Sequence, residues 1–582
     1  MSIQLLLARE DGTPYLPDDG VPDENATLAI EKKGENEIDS FFNSDQNPND
    51  LAEQRWGLVI ADNDEGRRLA EVIAPLVALR REQQNGKPIK LLTAPVGMTA
   101  EQTGKWWANV YNAERSDNKK VDRPRYLLIL GDPTQITWEA QERMAAGAYV
   151  GRLSFPKEAD YEAYVAKLLA YERAAKKNTP KVRATFFTVR DGTAATGAGD
   201  RGLMKPTVDA ARVGLVEKDF PAADITHLGV DSPVSPEEFL RAVESRDPRM
   251  LFTISHGLGT SKETAEQERL RIQGAMSFGS GKKITGDDIA NRVFLPGGAW
   301  FFFACFSAGT PNRTAYRHWL RAMKDAGLGV RASDIDAVMS ALPEKNAFVA
   351  SLPQKALANP DGPLAVIGHV DLAWTFSFQD ASKKWRSSRF HGVFRGLVDQ
   401  SRIGPSFADL QFVLNDTNSD LTDMIDTEVR AKEENEILAD AAERPAIKAG
   451  LWMLRQDLYA YVLLGDPAAR IAGMATPEEV RRKVPSISLD VARGLVTANP
   501  GDKTAAADAA PVTFGATSGD DAPRSLASID PERIESAVFA SVSNEGLDAL
   551  AKEYGVERSE LDTWIDTYKQ GGRAAVSKKS RD

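Results

Sequence analysis

The chain has 582 residues, a formal net charge of -12 at pH 7 and 42% hydrophobic residues; a single core rarely grows past about 300 residues, so two or more domains are expected. The acidic balance argues against nucleic acid as the principal partner. The single cysteine, Cys305, excludes an intramolecular disulfide and a four-cysteine zinc site and fits a reducing, cytoplasmic compartment. The opening MSIQLLLAREDGTPYL lacks the basic start and long apolar stretch of a secretory signal. No apolar run approaches the ~18 residues of a membrane span, so neither secretion nor a membrane partner is expected.

In chain order, residues 1–55 read as a polar N-terminal extension, irregular from about residue 8 onward because Asp, Glu, Asn, Gly and Pro dominate. From Trp56 the pattern alternates strand and helix. WGLVIA (56–61), IKLLTAP (89–95), YLLILGD (126–132) and AYVGRLSF (148–155) are strands, with helices at 64–82, 100–113 and 158–176. These make a first α/β subdomain over 56–180. A second, over 181–472, has strands at ATFFTV (184–189), ITHLGV (225–230), MLFTISHG (250–257), AWFFFACFS (299–307) and PLAVIGHV (363–370). An acidic helical stretch over 406–441 follows, and YVLLGDPAARI (461–471) closes the subdomain. Continuous apolar runs such as 250–257 and 299–307 mark strands buried on both faces, so the fold class is α/β, a largely parallel sheet flanked by helices. Residues 473–530 read as an Ala/Pro/Asp/Thr/Gly/Ser linker, and 531–582 as a small helical module.

Two of these strands carry the candidate chemistry. LFTISHG (251–257) delivers His256 and Gly257 at its carboxyl end, and FFFACFSAG (301–309) delivers Cys305 at its own. Parallel sheets build their sites outside the carboxyl ends of strands. A thiol is weakly ionised near neutral pH until a base or cation stands beside it. His256 can act as that base and then protonate a leaving amine. A tetrahedral oxyanion needs preorganised N–H donors; Gly257, lacking a side chain, allows a carbonyl to approach its N–H, and the N–H of Cys305 is a second donor. A lone cysteine in an apolar strand is usually a small buried hydrophobe and a lone histidine is usually structural. The paired strand-end placement, each beside a small residue and 49 residues apart, favours catalysis. The histidines at 227, 256, 318, 369 and 391 show no zinc-ligand spacing, so no metal and no cofactor is expected.

Over roughly residues 56–472 the sequence resembles the gingipain-type cysteine peptidases, relatives of the caspases and of CHAT-type peptidases. In caspases the histidine also precedes the cysteine by about 50 residues. The resemblance rests on the dyad, on YLLILGD, on YVGRLSF followed by KLLAYER (167–173), on PLAVIGHVDLAW (363–374) and on YVLLGDPAARI. It implies an endopeptidase without a catalytic cofactor, with His256 and Cys305 as the dyad. It implies Asp132 as an orienter of His256, against the alternative of a turn cap before Pro133. It places Trp374 beside the specificity pocket, against a core aromatic. His369 and Asp371, on the same strand end, are candidates for substrate contact or for packing. The segment from Asp132 to Gly151 is shorter than in gingipains, so their preference for basic residues is not implied.

Within the C-terminal module, LDALAKEYGVERSELDTWIDTYKQGG (547–572) resembles a transposase-type helix-turn-helix. Its second helix carries Glu560, Asp562 and Asp566 against Arg558 and Lys569, and a helix entering the major groove should be basic or neutral. Protein docking is therefore favoured over nucleic acid. The reading that emerges is an intracellular cysteine endopeptidase acting on protein or peptide and restrained by a partner or by processing. Its rivals are a catalytically inactive scaffold that binds protein, and a DNA-tethered regulator.

Overall fold

The apolar runs of the sequence assemble into one ten-stranded sheet. The structure is a computed structural model and describes residues 2–16, 20–22, 47–112, 123–176, 179–261, 263–327, 330–341, 346–380, 383–471 and 473–494. The strands are β1 (Trp56–Ala61), β2 (Lys90–Ala94), β3 (Tyr126–Leu130), β4 (Tyr149–Leu153), β5 (Arg183–Thr188), β6 (Ile225–Leu228), β7 (Arg249–Ile254), β8 (Ala299–Phe303), β9 (Ala365–His369) and β10 (Tyr461–Gly465). Their order is β2-β1-β3-β4-β10-β9-β8-β7-β5-β6. Every residue of β1, β3, β7, β8, β9 and β10 is buried, as helices on both faces of a parallel sheet require. These helices include Asp64–Val72, Glu158–Ala175, Lys205–Glu217, Ser388–Val398 and Ile403–Glu434. Among the described residues no helix is long and apolar enough to cross a membrane.

All neighbouring strands run parallel except β9 and β10, which pair antiparallel from Ala365–Gly465 to His369–Tyr461. The sheet therefore consists of two five-stranded halves pointing in opposite directions. The carboxyl ends of β7, β8 and β9 lie at one rim, and those of β1, β3 and β4 at the other. All the described residues nevertheless belong to one compact unit.

The turn after β10 is held from several sides. Asp466, fully buried, accepts from Arg80 Nε at 2.8 Å, from Trp56 Nε1 at 3.0 Å and from the Ala468 N–H at 2.9 Å. Arg80 is also fully buried and pairs with Glu172 at 2.9 Å. Burial alone would raise the Glu172 carboxyl, but Arg80, Arg402 and Gln83 outweigh it and hold it below the usual carboxylate range. Removing one partner of such a network strands a buried charge. Asp466→Ala is expected to cost about 3 kcal/mol or more, read as a fall in the denaturation midpoint relative to the parent chain.

Both ends of the unit depart from the sequence reading. The first residues are not a loose arm: Ile3, Leu5, Leu6, Leu7 and Ala8 are buried. Their apolar run QLLLA finds backbone partners far away in sequence, which local pattern does not reveal. Nor is residue 473 the start of a free linker. Helices Pro477–Arg481 and Leu489–Arg493 dock through buried Val480 and Ala492, and the Arg493 carbonyl accepts from Ile89 N–H. The remainder of that linker, from residue 495, and the helix-turn-helix-like module at 531–582 lie outside the described residues.

Candidate active site

Parallel pairing sets β7 and β8 in register, with Ile254 opposite Phe303. The Ser255 N–H then donates to the Phe303 carbonyl at 3.2 Å, so the two chains leave the sheet together and His256 and Cys305 emerge at the same rim. The approach is tight at Gly257, where a Cβ would stand 1.8 Å from the Cys305 carbonyl oxygen. Gly257→Ala must push the two segments apart, and its expected cost is about 3 kcal/mol, visible as a large drop in melting temperature. Phe306, directly after Cys305, has φ 56°, a backbone region that bulky residues rarely adopt and that concentrates at functional sites. Its N–H donates to the Asp371 carbonyl at 3.0 Å.

The acid beside His256 is Asp191, in the loop after β5. Nε2 lies 2.9 Å from Thr193 Oγ1 and 3.7 Å from Asp191 Oδ2. The hydroxyls of Thr193 and Thr196 donate to Asp191 Oδ1 at 2.8 and 2.7 Å. With its proton directed to the carboxylate, Thr193 Oγ1 accepts from Nε2–H, which fixes the neutral tautomer and makes Nδ1 the basic nitrogen. Both the imidazole and the Asp191 carboxylate are shielded from solvent.

Asp132 is not brought to His256. It follows β3 and stands at the opposite rim, beyond five-residue strands that span some 16 Å. Its carboxylate accepts from the Thr134 N–H and hydroxyl at 2.8 and 2.6 Å, so it caps a turn. That loop is fastened from below by buried Arg152, which donates to the carbonyls of Gly131 and Ile136 at 2.8 and 2.6 Å. The reversal of direction between β9 and β10, invisible in local sequence, is what separates Asp132 from His256 and Cys305.

Around Cys305 the backbone of Ala373 closes in. Sγ accepts the Ala373 N–H at 3.2 Å, and its S–H is directed at the Ala373 carbonyl, 3.7 Å away. The thiol is fully buried, and burial, reinforced by Asp457 and Asp371, holds its pKa well above the ordinary value. The N–H groups of Gly257 and Cys305 converge on one oxygen, the Leu6 carbonyl, at 2.8 and 3.2 Å. Leu6 itself donates to the Ala373 carbonyl at 3.3 Å, Leu5 bridges Trp374 antiparallel, and Leu7 and Ala8 run parallel to Gly257 and Leu258. The place of residues 5–8 was not visible in the sequence, where SIQLLLA is too short to read as an element.

The three residues on the strand end at 369–374 have different places. Trp374 is buried edge-to-face against Trp319, ring centroids 5.0 Å apart, and its N–H donates to Asp457 at 3.0 Å; its backbone lies beside Leu5. The His369 ring is bound at Nδ1 by the Asp371 backbone and at Nε2 by the carbonyl and carboxylate of Asp457, at 3.1 and 3.2 Å. The Asp371 carboxylate, raised to about 6 by burial, accepts from Thr314, Ala315 and Leu372. Both side chains are occupied in packing. What they give the site is backbone: the carbonyls of His369 and Asp371 accept from Ala308 and Phe306 and brace the cysteine loop.

Among the described residues no group of three or more His, Cys, Asp or Glu is placed to hold a metal ion. No protein-family model matches the sequence, and no curated protein matches it significantly. A solved structure named "Structure of Protease" aligns over 71% of this chain and 78% of its own, with a TM-score of 0.38 and 12% identity.

Proposed function

We propose that the chain is a cysteine endopeptidase with Cys305 as nucleophile and His256 as its acid–base partner, built on a caspase- or gingipain-like sheet. The observation that carries this reading is the convergence of the Gly257 and Cys305 N–H groups on a single peptide carbonyl beside the thiol. Two backbone donors aimed at one oxygen are what a tetrahedral intermediate of acyl transfer requires, and losing one such donor typically costs about 10²–10³ in rate.

In this reading His256 Nδ1 takes the thiol proton, and the thiolate adds to the substrate carbonyl carbon. The developing oxyanion is held by the N–H groups of Gly257 and Cys305. The C–N bond then breaks as Nδ1 returns the proton to the amine, leaving a thioester that water hydrolyses. Asp191, through Thr193, holds the ring in the productive tautomer and stabilises the imidazolium. Trp374 and Ala373 supply the strand along which the substrate lies. The test is to incubate the purified Leu6→Asp variant, in which the charge cannot stay buried over Cys305, with a diverse peptide mixture at neutral pH and to identify new termini by mass spectrometry. Internal cleavage that disappears on alkylation of Cys305 supports the assignment; cleavage that survives complete alkylation overturns it.

A further inference from the structure

The segment that fills the cleft is part of the chain itself, and it lies there in the manner of a substrate. Its carbonyl at Leu6 sits between the two oxyanion donors, and its N–H at Leu6 donates to Ala373. Before that point Leu5 pairs antiparallel with Trp374. After it, Leu7 and Ala8 pair with Gly257 and Leu258, and the Gly259 N–H takes the Ala8 carbonyl at 2.6 Å. The backbone is thus bound on both sides of one peptide unit, and that unit faces the dyad. The Gly257 bond is the rung that parallel pairing with Leu7 supplies; the Cys305 N–H, from a different segment, is a second donor to the same carbonyl and lies outside that ladder. The turn beyond it is anchored by the Tyr15 hydroxyl, which donates to the Gly259 carbonyl at 2.9 Å.

We propose, resting on the peptidase reading above, that residues 3–8 occupy the substrate site as a built-in occluding strand, with Leu6 in the place of the residue whose carbonyl is attacked, and that the adjoining pocket therefore takes an aliphatic side chain. Leu5, Leu6 and Leu7 are buried and Cys305 has no exposure, so an external peptide reaches the thiol only after this strand leaves. No charge occurs between Ser2 and Ala8. Asp371, the acid nearest Trp374 in sequence, is buried and accepts from Thr314, Ala315 and Leu372 through both carboxylate oxygens. Burial holds the Cys305 thiol above its ordinary pKa beneath the occluding strand. Tethering raises the strand's effective concentration, commonly to about the millimolar range for short flexible links, so release calls for a competing event: capture of the strand by another protein, or its proteolytic removal.

Cys305 is the chain's single cysteine, so its alkylation by iodoacetamide can be followed on intact full-length protein by mass. Leu6→Asp, which cannot be buried in the pocket, is expected to speed alkylation about tenfold or more. Leu6→Ala, which removes the anchor without burying a charge, should produce a smaller increase in the same direction. Circular dichroism and melting temperature identify the variants that remain folded. With Leu6→Asp, fluorogenic peptides ending in leucine should be cleaved at least about tenfold faster than those ending in arginine, lysine or aspartate. Unchanged alkylation in both folded variants overturns the occlusion, and a preference for a charged residue overturns the pocket assignment. Faster alkylation with no peptide hydrolysed leaves the occlusion standing and removes the peptidase reading instead.

Discussion

Cys305→Ala is expected to abolish peptide hydrolysis while the chain stays folded. The side chain is small, and its polar contacts are two weak ones to the Ala373 backbone. Its removal should cost about 1 kcal/mol of stability. The chemical loss is far larger, because the proposed mechanism begins with attack by this thiol. A fall of about 10⁴-fold or more in kcat is expected. His256→Ala should lose a similar factor, and the double variant should be little worse than either single one, since nucleophile and base act as one unit. These rates are best measured in the Leu6→Asp background, where the cleft is open. Retention of activity in Cys305→Ala would remove the thiol from the mechanism. Failure of that variant to fold would make Cys305 a packing residue.

The second large effect is expected at Asp191 and not at Asp132. Asp191→Asn keeps the size of the group but removes the charge behind the imidazolium and upsets the threonine hydroxyl pattern that fixes the ring tautomer. A fall of about 10²-fold in kcat with little change in KM is expected. The pH profile discriminates further. An imidazolium that loses its carboxylate gives up its proton more readily, so the acidic limb of kcat/KM, where the base becomes protonated, should move to lower pH. Damage confined to packing would lower the rate without moving that limb. Asp132→Asn should leave both the rate and the profile unchanged, because its carboxylate caps the turn at Thr134 on the other rim.

Much of the sheet was legible because β7, β8 and β9 are uninterrupted apolar runs, and such runs mean burial on both faces. The placement of His256 and Cys305 at one rim was legible for the same reason: each ends a strand of that kind. What local sequence lacks is strand order and direction. Asp132 and Asp191 both follow strands and both sit in turn-forming segments, LGDPT and RDGTA. The difference between them is that β5 neighbours β7, whereas β3 belongs to the half that points the other way. The N-terminal strand was hidden more deeply. Its partners, Gly257, Cys305, Ala373 and Trp374, are hundreds of positions away, and its own seven residues carry no periodicity from which to argue.

The reversed junction at β10 also has a consequence for biosynthesis. This strand lies between β4 and β9 and pairs residue 464 with residue 152, and residues 461–465 with 369–365. A ribosome delivers the chain from its amino end, so both halves of the sheet emerge before the strand that joins them. Until it arrives, β4 and β9 each present an unpaired apolar edge, the kind of edge that other chains add to. The Trp374 N–H and the His369 ring likewise await Asp457, just upstream of β10. The walls around Cys305 therefore set only late in translation, and a nascent chain stalled before residue 457 would display Cys305 without a finished cleft around it.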